Sequence, residues 1–261
     1  MSMGVYKISN FEEWVNAIES IIAETAQVKG LYPEAVFNAG SFIIEQCING
    51  EEFALDAYYN SNGEPVILNI LKHIFSSYAD VSDRVYISSK EIIENNLKEF
   101  TNFVDKIGKL AGLKNFPVHI ELRRDRYSVL LPIEVNPMRF GGWCTTPDMS
   151  FMAYGFNPYL YYFSQKKPDW SKLLKGKEKK LFSLIVLDNS TGIDAADIAS
   201  FNYEKLLSGF EKPMEFRKID YRQYPIFGFL FTETREDKFS ELKNILSSDL
   251  NEFISIKTKM A

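Results

Sequence analysis

Two stretches of this 261-residue chain hold residues whose types and spacing could do chemistry. "HIELR" (119–123) carries Glu121, and "LPIEVNPMRFGGW" (131–143) carries Glu134, Asn136 and Arg139 at the end of an apolar run. In a strand, alternate residues face opposite sides. Val118, Ile120 and Leu122 then face one way and His119, Glu121 and Arg123 the other, while Leu131, Ile133 and Val135 oppose Pro132, Glu134 and Asn136. With a turn centred near Tyr127–Ser128, Glu121 lies directly across from Glu134. Two carboxylates and a carboxamide then project from one polar face above an apolar back. Like charges side by side repel and need an offset. Oxygen ligands in this number suit Mg²⁺, which keeps waters and is shared with phosphates. On this stretch alone, a solvated polar face on an ordinary antiparallel hairpin explains the pattern equally well.

These residues need elements to hold them. "SNFE" (9–12) predicts a helix start, with Ser9 and Glu12 as a capping box. Trp14, Ile18, Ile21 and Ile22 recur at helical spacing to about Val28, and Gly30 ends the run. "SFIIEQCI" (41–48) reads as a short apolar strand. Phe53, Leu55 and Ala57 alternate against Ala54 and Asp56 in a second strand, "NSNGEP" is a turn, and "VILNIL" returns as a third. Residues 89–112 predict the clearest helix: Ile93, Leu97, Phe100, Val104, Ile107 and Ala111 make one stripe, closed by Gly112. "PVHIELRR" and "SVLLPIEVN" form the hairpin, and a helix rich in Tyr and Phe is expected from about Met149 to Phe163. "QKKPDWSKLLKGKEKK" (165–180), with seven lysines, reads as a solvated connector rather than an anion-binding patch. Beyond it a strand ("LFSLIVLD"), a helix near 203–210, strands "MEFRKID" and "IFGFLFTE", a helix over about 236–248 and a last strand ("EFISI") compose a smaller α+β lobe.

Bulk properties narrow the classes. At 46% apolar and 25% charged, the chain is a folded globular protein and not a disordered one. A net charge of −5 argues against a general nucleic-acid binder. Cys47 and Cys144 are the only cysteines, which suits a reducing compartment and supplies no disulfide framework. No stretch approaches the roughly 20 apolar residues of a membrane span, and "MSMGVYKISN" lacks a signal-peptide core. A cytoplasmic protein without membrane or nucleic-acid partners is expected. His73 and His119 read as separate hydrogen-bonded structural residues rather than a zinc pair.

The order of elements resembles the ATP-grasp superfamily, the carboxylate–amine and carboxylate–thiol ligases, over about residues 2–163. The likeness is strongest to the amino-acid-ligase and carbamoyl-phosphate-synthetase-like branch. "FIIEQCINGEEF" resembles the strand and hinge that read adenine. "HIELR" and "IEVNP", whose Glu121 and Glu134 stand thirteen residues apart, resemble the paired metal-carboxylate motif. "MSMGVYKISNFEEW" resembles the end of the flexible glycine-rich phosphate loop and the helix after it. The resemblance implies an α+β ATP-grasp fold, antiparallel sheets with flanking helices over 1–163, followed by the small α+β lobe over 164–261.

The resemblance also implies roles. Glu45 and Gln46, with the backbone amide of Ile48, meet the adenine edge, Glu52 accepts from the ribose hydroxyls, and the amides of Ser2 and Gly4 belong to the phosphate loop. Glu121, Glu134 and Asn136 hold one or two Mg²⁺ ions (or Mn²⁺) bridging the nucleotide phosphates. Arg139 meets the transferred phosphoryl group, and Gly141 and Gly142 let backbone amides approach the acceptor. Cys47 is equally a small core filler. Two features depart from the branch. It shows the asparagine, a proline and then arginine, whereas Met138 intervenes here. The chain also begins at "MSMGV", inside the loop, without the lysine-bearing strand and nucleotide-fold lobe that precede it. The expectation is therefore an N-terminally incomplete ATP-grasp region, a fragment or a half that pairs with another chain.

The activity implied is that of an ATP-dependent, ADP-forming carboxylate–amine ligase working through an acyl-phosphate. Its cofactors are ATP and Mg²⁺, its substrates a small-molecule carboxylate and an amine. A partner chain or upstream domain is expected, and a homodimer is compatible. The alternative is a non-catalytic nucleotide-binding module or interaction subunit that needs a partner chain. Trp143 in "RFGGWCTTPDMS" and Phe151 directly after it suit either an apolar acceptor or core packing.

Overall fold

The computed structural model describes residues 4–28, 42–77 and 80–257. Ser2, Gly30 and Ser41 fall outside them. The chain divides into two compact units, Met1–Ile48 with Ser77–Asp83, and Asn49–Ser76 with Arg84–Ala261.

The first unit contains helix α1 (Phe11–Val28). Its start lies one residue later than the expected capping box. The Asn10 side chain accepts from the Glu13 amide at 2.9 Å, and the Glu13 carboxylate accepts from the Ser9 amide at 2.7 Å. Asn10 directly precedes the first helical residue and is at least as good a cap as serine. The strand expected over 41–48 is not formed in its described part. Residues 42–48 have no regular structure, and Phe42, Ile43 and Ile44 are exposed. An apolar run becomes a strand only with a neighbour to accept its ladder, and no described strand pairs with this one.

The second unit is built on β1 (Glu51–Tyr59), β2 (Pro65–Ile74), β3 (Val85–Ser89), β4 (Phe116–Arg124), β5 (Leu130–Pro137), β6 (Lys180–Asp188), β7 (Ile198–Phe201), β8 (Pro213–Lys218), β9 (Ile226–Arg235) and β10 (Ile254–Ile256). Eight of these make one antiparallel sheet in the order β5-β4-β1-β2-β3-β6-β9-β8, and β7 pairs with β10. The fold class is the expected α+β, with antiparallel sheets and flanking helices. Residues beyond 163 supply three strands to the large sheet, through β3 and β6, paired from Val85–Ile185 to Ser89–Leu181. β3 and β7 were not anticipated from the sequence.

β1 lies inside the sheet, and all its residues after Glu51 are buried, on both faces. One face packs against α2 (Lys90–Ala111), where Phe53 meets Phe100 edge-on with centroids 5.1 Å apart. The α2 stripe holds with a small rotation: Ile93, Phe100 and Val104 are buried together with Asn96 and Gly108, whereas Ala111 is exposed. Ser89 caps α2 by accepting from the Ile92 amide, and Gly112, at φ +64°, closes it.

The expected Met149–Phe163 helix is two helices, α3 (Thr145–Tyr154) and α4 (Pro158–Phe163). Gly155 stops the first at φ +75°, and the Asn157 side chain caps the second. The lysine-rich connector is anchored rather than wholly solvated: it contains the short helix α5 (Trp170–Leu173), and Trp170 and Leu174 are buried. Lys177 lies over the Phe182 ring at 5.1 Å. In the tail, α6 (Tyr203–Leu207) and α7 (Ser240–Ser247) join β7, β9 and β10 around a second core that includes Ile198, Phe227, Leu242 and Ile245. Among the described residues, no helix is long and apolar enough to cross a membrane.

Candidate functional site

The β4–β5 hairpin has the predicted register over Val118–Glu121, whereas a bulge next to Glu121 shifts it by one residue nearer the turn, where Leu122 pairs with Pro132 and Arg124 with Leu130. Asp125 organises the turn by accepting from the Tyr127 and Val129 amides, and Ser128 takes φ +62°. Glu121 pairs with Glu134, and His119 with Asn136. Direct cross-strand partners in an antiparallel pair hold their Cβ atoms about 4.5–5.5 Å apart, so the four side chains share one polar face. The opposite face is apolar but unevenly covered. Val118, Ile120 and Leu122 are fully buried, whereas Ile133 and Val135 on the edge strand remain about 40% exposed.

The offset that the carboxylate pair requires comes from His119. Its Nε2 stands 3.5 Å from Glu121 Oε1, and its Nδ1 lies 2.8 Å from Asp56 Oδ1. Burial disfavours charge on this imidazole, but Asp56 and Glu121 outweigh it and push the group up to about 9. His119 is thus hydrogen-bonded, as expected, and it also belongs to the site.

Downstream of β5 the chain turns sharply. Met138, the residue that interrupts the Asn-Pro-Arg pattern, takes φ +61°, and its amide donates to Pro117 O at 3.0 Å. Arg139 is exposed and donates to Phe140 O at 3.0 Å. The Gly141 amide donates to Asp56 Oδ1 and to Thr146 Oγ1, both at 3.0 Å, and the Thr146 hydroxyl donates to Asp56 Oδ2. A Cβ on Gly141 would come within 2.1 Å of Thr146 Oγ1, whereas one on Gly142 would meet nothing within 4 Å. Trp143 and Cys144 follow at φ +55° and +58°. The left-handed region is unfavourable for L-residues, so three such residues around Arg139 mark a strained loop.

The tail reaches this loop. Arg217 on β8 donates to Trp143 O at 2.6 Å and pairs with Asp148. Trp143 packs against Tyr224 and Phe229, with centroids at 5.2 and 5.8 Å, and stays 40% exposed. Phe151 is 58% exposed, so core packing does not account for it.

Glu52 faces the same side of the sheet as Asp56, but both its oxygens are engaged. Oε1 meets His73 Nδ1 at 2.8 Å, and Oε2 accepts from Arg123 Nε and Nη2 at 2.8 and 2.6 Å. Burial raises this carboxyl, but His73 and Arg123 more than compensate and hold it below its usual range. Gly4, Glu45, Gln46 and Ile48 belong to the first unit. There the Gly4 amide donates to Glu24 Oε2 at 2.9 Å, Glu45 and Gln46 are exposed, and Ile48 is half-buried. Cys47 and Cys144 are both exposed free thiols.

Asp56, Thr146 and Arg217 escaped the sequence reading. Asp56 had one available signal, an acid alternating into an otherwise apolar strand. Arg217 had none, because its partners lie about 70 residues away along the chain.

Among the described residues, no three His, Cys, Asp or Glu side chains converge on a metal site. The donor set on the hairpin is instead two carboxylates and a carboxamide. This fits a hard divalent cation whose other positions go to water and phosphate. Asn136 would join such a set only through its Oδ1, because the amide nitrogen, buried here without a hydrogen-bond partner, is a donor and cannot ligate a cation.

The sequence profile described as the ATP-grasp domain matches residues 1–147. The structure is similar to an L-amino acid ligase from Bacillus licheniformis, with TM-score 0.63, 18% identity, 98% of this chain and 61% of that one covered. It is similar to a Campylobacter jejuni biotin carboxylase solved as a β,γ-ATP complex (TM-score 0.58, 12% identity, 98% and 55% covered). It is also similar to a phosphoribosylglycinamide synthetase from Anaerococcus prevotii (TM-score 0.55, 17% identity, 97% and 68% covered). At these identities the likeness is one of fold, and the chain spans under two thirds of the first two. No curated protein matches the sequence.

Proposed function

The chain belongs to the ATP-grasp family, and from that premise we propose that it binds Mg·ATP on the β4–β5 face and serves an ADP-forming carboxylate–amine ligase. The observation that carries this reading is the register that sets Glu121 opposite Glu134, with Asn136 on the same face.

In this reading Glu121, Glu134 and Asn136 would hold the cation. Mg²⁺, when bound, would neutralise charge on the nucleotide phosphates and on the transferred group. His119 keeps one member of the carboxylate pair oriented and lowers their mutual repulsion. Arg139, exposed at the end of β5, is the cation available to a transferring phosphoryl group. A carboxylate oxygen attacks the γ-phosphorus, the β,γ-bridging P–O bond breaks, and ADP leaves. An amine nitrogen then attacks the acyl carbon, loses a proton and displaces phosphate. The Gly141 amide is committed to Asp56, so room for an acceptor lies beside Gly142. Glu45, Gln46, Ile48 and the Ser2–Gly4 segment remain the assignments for adenine and phosphates. Glu52 would reach a ribose only by giving up His73 or Arg123. The substrates, a partner chain or upstream domain, a homodimer and a cytoplasmic location complete the proposal.

A second reading, nucleotide binding without turnover, draws on Arg139, whose guanidinium turns back onto Phe140 O behind the extra Met138. Calorimetry with Mg·ADP tests the binding face. Glu121→Gln and Glu134→Gln should each weaken binding by tenfold or more. Glu134→Gln should do so without lowering the melting temperature of the ligand-free protein, since it removes a charge that repels Glu121, whereas Glu121→Gln also gives up the pairing with buried His119 and should lower it. Unchanged affinity in both variants would exclude these residues as ligands. ADP release that requires both a carboxylate and an amine, and is lost in Arg139→Ala, separates turnover from binding alone.

A further inference from the structure

Asp56 sits within β1, fully buried, outside the hairpin that bears the candidate ligands. An ionised carboxylate in such a place needs partners, because desolvation costs several kcal/mol per ion. It has three. Oδ1 accepts from His119 Nδ1 at 2.8 Å and from the Gly141 amide at 3.0 Å, and Oδ2 accepts from the Thr146 hydroxyl. The donors lie 63, 85 and 90 residues along the chain, on β4, on the loop after β5 and in the first turn of α3.

Each partner leads to a different part of the site. The other nitrogen of His119 stands 3.5 Å from Glu121. Gly141 and Thr146 bracket Trp143 and Cys144, whose left-handed backbone costs about 1–2 kcal/mol per residue and would relax if the loop were released. Gly141 is so close to Thr146 that no side chain fits between them. The loop is therefore drawn down onto this one carboxylate.

We propose that Asp56 is the positioning residue of the site, fixing Glu121 through His119 and the Arg139–Cys144 loop through Gly141 and Thr146. This rests on the proposed function. Asp56 touches neither nucleotide nor substrate. It holds the cation-binding face and the transfer loop in one mutual arrangement, so its loss uncouples them.

The test compares the full chain with its Asp56→Asn variant by amide hydrogen exchange and by calorimetry with ADP, with and without Mg²⁺. In the variant, exchange across 138–146 should rise tenfold or more while α2 keeps its protection. Affinity for Mg·ADP should fall at least tenfold, and affinity for Mg²⁺-free ADP should stay within twofold. A purely structural carboxylate would not produce that split. If wild type binds Mg·ADP and the variant binds it equally well, or if exchange over 138–146 is unchanged, the inference is overturned and the proposed function stands. A wild-type protein that binds no Mg·ADP overturns the proposed function and this inference with it. If Asp56→Asn loses protection in α2 as well, Thr146 gives the same comparison. Thr146→Val must loosen 138–146 and weaken Mg·ADP binding, and Thr146→Ser, which keeps the hydroxyl, must do neither.

Discussion

Gly141 is a glycine for want of space and not for its backbone angles, and this can be tested with a double-mutant cycle. At φ −53° and ψ 152° any L-residue is comfortable. An alanine there would even gain about 0.4–1 kcal/mol through the unfolded chain. The new Cβ, however, would lie 2.1 Å from Thr146 Oγ1 and 2.6 Å from its Cγ2. Thr146 is buried and tied to Asp56, so it cannot swing away freely. Overpacking of this kind costs about 1–3 kcal/mol, and displacing the hydroxyl from a charged acceptor about 1.5–3 kcal/mol more. Gly141→Ala should therefore destabilise by about 2–5 kcal/mol once the backbone gain is subtracted. Thr146→Ala alone should lose about 1.5–3 kcal/mol, yet it deletes both clashing atoms and leaves only a Cβ at 2.9 Å. The double variant should match Thr146→Ala within about 1 kcal/mol, a coupling of roughly 2 kcal/mol or more between the sites. Urea unfolding of the four proteins, followed by tryptophan fluorescence and far-UV circular dichroism, measures it. Effects that add within about 0.5 kcal/mol, or a Gly141→Ala variant as stable as wild type, would refute the reasoning.

Gly108→Ala should lower the urea midpoint although alanine is about 1 kcal/mol the better helix former. Its Cβ would meet the ring of fully buried Tyr59 at 2.1 Å, and a variant that melts higher than wild type would contradict this. Glu52, held below its ordinary 4.5 by His73 and Arg123 against the effect of burial, contributes stability that is present above the unfolded value and lost as pH falls through the lower folded one. Below about pH 4.5 the wild-type urea midpoint should drop more steeply than that of Glu52→Gln, and parallel curves would show that the Glu52 cluster is not the source. Met138 is 69% exposed at φ +61°. Relief of about 1–2 kcal/mol of left-handed strain, less the roughly 0.5–1 kcal/mol entropic cost of glycine, makes Met138→Gly neutral or stabilising. Met138→Val should be destabilising, and the reverse order in thermal melts would argue against the strained turn.

How far the sequence could be read depended on the distance between interacting residues. The α2 helix was legible because its stripe, its Ser89 cap and its Gly112 stop all lie within one segment. The pairing of Glu121 with Glu134 was legible because the alternation of both strands puts their acids on one face, although the turn alone would not fix it, since a bulge beside Glu121 shifts the register by one residue. The cap of α1 was misplaced by one residue because "SNFE" offers two neighbouring capping side chains. The aromatic run 149–163 reads as a single helix because its apolar content hides the stop at Gly155.

By itself, then, the sequence determined α2, the hairpin and the row of oxygen-bearing side chains on it, since the periods of 3.6 and 2 and the capping chemistry act over a few residues. Only the tertiary structure decided the rest. It left residues 42–48 without a described strand partner while enclosing β1 on both faces, although both stretches are apolar. It joined strands from beyond residue 163 to the same sheet, and it brought Arg217 to Trp143. Above all it gathered His119, Gly141 and Thr146 onto Asp56. No local pattern encodes that convergence, because a buried carboxylate takes its donors from whatever the sheet, the loop and the covering helix place beside it.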